Sequence, residues 1–273
     1  RCRSGISCRA GDMNRPQKAE FEENFVVTTF WGTGSSGATT FALEYATQLA
    51  GHGRKSLLVD FDMLDPSLMV YLAVDEHPSG LQAGLRLAEQ QRLDPSVISE
   101  LTVRSERIKN LYFLAGLPVQ GRFESISAGA TSSLLRGLED WFDELVIDLG
   151  QIIPEVINPR IFSLQREVLS ESKYVYGVFR ADPEGIAKLF WLPLSECLVA
   201  NQYRPGSLGS GGKKAMKSVV AEVSGSLVVD IAEEDDHLVR ATAKAVSVGE
   251  ISRKSPINQA VVRLIQNRAD SPE

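Results

Sequence analysis

Phe25-Val26-Val27-Thr28-Thr29-Phe30, running directly into Trp31-Gly32-Thr33-Gly34-Ser35-Ser36-Gly37-Ala38-Thr39-Thr40-Phe41, decides how this chain folds. The first six residues are β-branched or aromatic, the composition of a buried strand. After Trp31, the nine residues Gly32 to Thr40 are small and glycine-rich, so the backbone can turn sharply there. Beyond them Phe41, Tyr45 or Ala46, and Leu49 recur at helical spacing, and Gly51 and Gly53 close the segment. A second apolar run, Ser56 to Asp60, follows. Strand, tight turn, helix and strand in that order make one βαβ unit, which places the two strands parallel in one sheet.

The alternation continues outward from this unit. Further strands are predicted at Asn110 to Ala115, Glu144 to Asp148, Tyr174 to Phe179, Cys197 to Ala200 and Ser226 to Val229. Most are continuously apolar, as expected when helices cover both sheet faces. Helical patterns lie at Ser79 to Gln91, Pro95 to Val103, Ser125 to Trp141, Asp182 to Leu194, Lys213 to Val223 and Asp236 to Ala245. Asp94-Pro95 and Asp182-Pro183 each set a capping carboxylate before a proline suited to the first helical turn. The expectation is a single α/β domain with a mostly parallel twisted sheet of about seven strands and helices on both faces. Residues 1–23 read as a flexible leader, 24–268 as the domain and 269–273 as a tail. The amphipathic stretch Ile257 to Ile265 is expected to pack on the sheet, because only Arg263 and Arg268 would be available to meet lipid.

Composition narrows the function classes. Of 273 residues, 43% are hydrophobic and 23% charged, which is ordinary globular usage. Lys plus Arg number 29 against 35 Asp plus Glu, a net charge of −6, so a nucleic-acid backbone is a disfavoured main partner. The three cysteines, Cys2, Cys8 and Cys197, offer no disulfide framework or zinc spacing, and Cys197 reads as a buried thiol in a reducing compartment. No run reaches the ~18 apolar residues of a membrane span, and a cytoplasmic protein is expected. His52, His77 and His237 show no ligand spacing, and no G-x-S-x-G or H-E-x-x-H pattern supports hydrolase or zinc-protease chemistry.

The turn itself carries chemistry. Gly32 to Thr39 has the spacing G-x-x-x-x-G-Ala-Thr, a phosphate-loop frame with alanine where lysine belongs. Glycines let successive N–H groups point into one concavity, and the start of the following helix adds partial positive charge, so Gly32, Thr33, Gly34, Ser35, Ser36, Gly37, Ala38, Thr39 and Thr40 are candidate phosphate ligands. Thr39 is placed to offer its hydroxyl to Mg2+, and Thr40 to a phosphate oxygen. Carboxylates gather at the same sheet edge: Asp60 and Asp62 end the second strand, and Asp148 closes the strand from Glu144, where phosphate-loop enzymes hold magnesium. Arg54 and Lys55 precede a strand and therefore lie at the opposite edge. Arg180 and Arg204 follow strands and are the candidate cations to compensate for the missing lysine.

With these segments the sequence resembles the MinD/ParA-type phosphate-loop ATPases, and within them the CpaE/TadZ-type pilus-assembly localisation factors and their actinobacterial septum-site relatives. The resemblance spans roughly Val26 to Ile265. It is carried by Gly32 to Thr40, Asp60-Phe61-Asp62 with Asp65-Pro66, Asn110 to Gly116, Phe142-Asp143 to Asp148, Phe179 to Gly185, and Asn201 before Arg204-Pro205-Gly206. It implies ATP and Mg2+ as cofactors, with Asp62 orienting the attacking water, Asp60 and Asp148 supporting the metal and Asn201 reading the adenine edge. It also implies a homodimer, protein partners from a pilus, secretion or division apparatus, and recruitment at most to the inner membrane face or cell pole.

The sequence departs from that pattern twice. Relatives carry a lysine at the position of Ala38 and a second, signature lysine at the position of Thr33. Loss of a preorganised donor to transition-state charge costs about 3–4 kcal/mol, or 100- to 1,000-fold in rate. Binding is therefore expected to outlast catalysis. Three readings remain open: an ATP-responsive positioning factor that hydrolyses slowly, a pseudo-ATPase scaffold that dimerises and binds partners without hydrolysis, and a phosphate-loop ligase or synthetase activating a small carboxylate, which would need the missing lysine even more.

Overall fold

The computed structural model describes residues 25–74, 80–117, 126–190, 197–206 and 211–269. Eight strands form one sheet in the order β3-β4-β2-β5-β1-β6-β7-β8. They are β1 (Val26–Gly32), β2 (Ser56–Asp60), β3 (Thr102–Arg104), β4 (Leu111–Leu114), β5 (Glu144–Gln151), β6 (Tyr174–Arg180), β7 (Cys197–Tyr203) and β8 (Leu227–Glu233). All neighbours pair in parallel except the edge strand β3, which runs antiparallel to β4. The expected count of about seven omitted β3. Its first two residues fall within the expected helix Pro95 to Val103, but that helix stops at Leu101, because Thr102 is already extended (φ −109°, ψ 144°).

The strand alternation sorts side chains to two cores. From β1, Val27 and Trp31 enter one core while Val26 and Phe30 enter the other, and from β5 Leu145, Ile147 and Leu149 oppose Val146. Six helices close the first core: α3 (Gly80–Glu89), α4 (Pro95–Leu101), α5 (Ala130–Gly137), α6 (Pro159–Glu171), α7 (Pro183–Leu189) and α8 (Gly212–Ser224). The second is closed by α1 (Ala38–Gly51), α2 (Leu68–Tyr71), α9 (Leu238–Ala243), α10 (Val248–Ile251) and α11 (Pro256–Ala269). Phe30 is fully buried there, stacked on Tyr176 at 5.3 Å and edge-on to Tyr45 at 5.2 Å.

Both expected proline-following caps form: Asp94 accepts from the amides of Ser96 and Val97, and Asp182 from that of Gly185. The C-terminal stripe packs as expected, with Ile257, Val261 and Leu264 buried in the second core. One correction concerns short features. The short helices α2 and α10 were not anticipated, since four residues hold too few turns to show a period. Cys197 is buried as expected. The expected leader, and parts of the segments 79–91, 125–141 and 182–194, fall outside the described residues. Among the described residues no helix is long and apolar enough to cross a membrane.

Candidate functional site

The end of β1 is fastened between β5 and β6, and the amide of Thr33 still donates to the Val178 carbonyl (3.2 Å). From there the chain leaves the sheet through left-handed backbone at Gly34 (φ 76°), Ser35 (φ 50°) and Gly37 (φ 91°), then enters α1 at Ala38. Among the described residues, none of the amides from Gly34 to Thr40 donates to a protein acceptor. A helix leaves its first-turn amides open, but here the open row starts three residues earlier. Around it, the buried oxygens Thr33 Oγ1, Ser36 Oγ and Asn201 Oδ1 have no partner. A run of convergent N–H groups at a helix start is suited to an anion, so the segment fits a phosphate chain.

Sheet order brings the carboxylates to this loop. β5 lies between β2 and β1, so Asp60 and Asp148 are register neighbours and Asp148 also faces Phe30 of β1. Both are 1% exposed. Asp148 accepts from the Gly150 amide (3.3 Å), and the nearby Thr39 side chain favours its charged form. Asp60 accepts from the amides of Leu68 (3.0 Å) and Asp62 (3.2 Å). Burial, with the nearby charge of Asp148, pushes the Asp60 carboxyl up to about 8, and burial pushes Asp148 up to about 6. Two acids packed side by side out of water resist ionising together.

Asp62 is the more exposed third acid. Its Oδ1 accepts from the amides of Leu64 and Asp65 (both 2.9 Å), which fixes its rotamer. Its other oxygen lies over Gly150, whose φ of +63° and missing side chain are both needed for that approach. Gly150 was not singled out in the sequence, although a glycine two residues past a strand-ending aspartate is the signal that would have found it. Among the described residues, no group of three or more His, Cys, Asp or Glu side chains is arranged to hold a metal unaided. Magnesium ordinarily takes one or two carboxylates, phosphate oxygens and waters, so Thr39 with Asp148 fits as the protein's share of such a site.

Arg180 ends β6 and Arg204 follows β7, as expected, and both, like Asn201, have partners within the protein. Asn201 is 2% exposed, and its Nδ2 donates to the Ser36 carbonyl (2.8 Å), while its Oδ1 has no partner in the protein. Arg180 binds Asp182 and approaches Glu184, while Arg204 forms a two-pronged pair with Glu234. Each guanidinium is thus paired with an acid a few residues away or at the adjoining strand end. Arg54 lies at the opposite sheet edge as expected, on Glu144 at the start of β5 (3.2 Å).

No family model matches the chain. It is 24% identical over 243 residues to the septum site-determining protein MinD of Buchnera aphidicola subsp. Schizaphis graminum, an alignment covering 82% of each protein. Its fold superimposes on a ParA family ATPase from Chlorobium tepidum with a TM-score of 0.73 at 17% identity, over 89% of this chain and 98% of that one. It also superimposes on the septum site-determining protein MinD complexed with Mg-ADP from Pyrococcus horikoshii, with a TM-score of 0.67 at 17% identity, over 88% and 93%. The fold of this chain is thus that of the MinD and ParA family ATPases, and its sequence is distantly similar to MinD.

Proposed function

We propose that this chain binds a magnesium nucleotide on the segment Gly32 to Thr40 and works as an ATP-responsive positioning factor of the MinD/ParA kind. The observation that carries the reading is the row of open amides from Gly34 to Thr40 beside the Asp60–Asp148 pair. The amides and the start of α1 would take the phosphate oxygens. Thr39 and Asp148 would hold the divalent ion, with Asp60 behind Asp148, and Asp62 would orient water at the free side of its carboxylate. When bound, magnesium supplies the charge neutralisation that phosphate transfer needs. The Mg-ADP in the Pyrococcus relative supports the choice of ligand, and the MinD and ParA likeness supports the positioning role. We extend the role to a homodimer serving a pilus, secretion or division apparatus at the membrane face or cell pole.

One observation favours the second reading, a pseudo-ATPase scaffold. Ala38 replaces the loop lysine, and Arg180 and Arg204 are already held by acids. With that donor gone, the expected penalty in turnover is about 100- to 1,000-fold. Calorimetry with ATP, in magnesium and then in EDTA, separates the two. Saturable binding that needs magnesium is expected, and no heat at millimolar Mg-ATP would leave only the scaffold.

A further inference from the structure

We propose that the end of β7, Asn201 with Gln202, is a brace that sets the phosphate loop for anion binding, so that Asn201 acts on the phosphates through the loop. The proposal rests on the reading that phosphate binds at Gly32 to Thr40. Its core is a pair of hydrogen bonds to successive carbonyls: Asn201 Nδ2 to Ser36 at 2.8 Å, and Gln202 Nε2, more weakly, to Ser35 at 3.4 Å. Only the nitrogen end of an amide can face a carbonyl oxygen, which leaves Asn201 Oδ1 buried with no partner. An orphaned polar atom in a native interior calls for an explanation, and here the other end of the side chain provides it.

In a trans peptide the carbonyl and the following N–H lie in one plane and point opposite ways. Drawing the Ser36 oxygen toward β7 therefore turns the Gly37 amide the other way, and the Ser35 oxygen does the same for the Ser36 amide. Both are among the amides with no protein acceptor. The brace is anchored in the sheet, since Asn201 pairs with Arg180 of β6 and its carbonyl accepts from the Ala181 amide (2.8 Å). Gly37 meets both demands of the contact: φ is +91°, and a Cβ there would come within 2.5 Å of Asn201 Nδ2. With alanine at position 38, amide direction carries the load that a lysine charge would otherwise share.

The experiment compares Mg-ATP with Mg-tripolyphosphate, which has no base, on the parent, Asn201→Ala and Asn201→Leu; leucine keeps the volume and removes the donor. Both variants should lose about tenfold in affinity for each ligand, the worth of one buried hydrogen bond. Loss for Mg-ATP alone would mean that Asn201 reads the base and would overturn the proposal. In the ligand-free protein, the amide signals of Ser36 and Gly37 in a 15N–1H correlation spectrum should shift in Asn201→Leu; unmoved signals also overturn it. If the parent binds neither ligand, the proposed function fails, while the amide signals still decide whether the brace exists.

Discussion

Replacing Asp148 by asparagine isolates the electrostatic cost of the acidic pair. Asp148 lies 1% exposed beside Asp60, and burial has raised its carboxyl from 3.8 to about 6. Such a carboxyl holds more protons in the native than in the unfolded chain between those two values. Stability therefore falls as pH rises through that window, and the loss is complete above it. A rise of this size corresponds to roughly 3 kcal/mol. Asparagine preserves the shape: its oxygen can accept from the Gly150 amide, and its nitrogen can donate to the Thr39 hydroxyl. Removing the Asp148 charge also relieves Asp60, whose elevation to about 8 comes first from burial and next from Asp148. Urea unfolding in EDTA should thus show Asp148→Asn equal to the parent near pH 4 and more stable by roughly 3 kcal/mol near pH 8. Magnesium nucleotide should stabilise the parent more than the variant. Parallel stability curves for the two proteins from pH 4 to 8 would refute the assignment of a strained acid pair.

Two further perturbations probe the loop and the core. Ala38→Lys places a cation beside the open amides, and calorimetry with Mg-ATP should then show an affinity about 10- to 100-fold higher than the parent's, as one charge-assisted hydrogen bond supplies; an unchanged titration would count against this site for phosphate. Phe30→Ala removes a fully buried ring flanked by Tyr45 and Tyr176, and should cost about 3–5 kcal/mol in urea unfolding; a loss below 1 kcal/mol would mean that this face of the sheet is loosely packed.

Much of the fold was legible because its signals are local. The apolar runs of β1, β2, β5, β6 and β7 each lie on one continuous stretch, and the glycines at 32, 34 and 37 announce the turn into α1. The proline-following caps at Asp94 and Asp182 depend on residues at most three positions away. Short elements were missed for the same reason: β3, α2 and α10 hold too few residues to establish a period, and tertiary pairing sustains them. Gln202 takes φ +57° without being a glycine, a conformation no pattern announces.

By itself, the sequence determined the βαβ start, the phosphate-loop frame without its lysine, and the acids that end strands at one sheet edge, since each follows from spacing along the chain. Only the tertiary structure decided which charges meet. Setting β5 between β2 and β1 joined Asp60 to Asp148, pairing β7 with β6 carried Asn201 under the Ser36 carbonyl, and neighbouring acids paired with Arg180 and Arg204. Strand order and side-chain partnering are settled by contacts between residues far apart in the chain, and a Coulomb or hydrogen-bond energy depends on those distances in space.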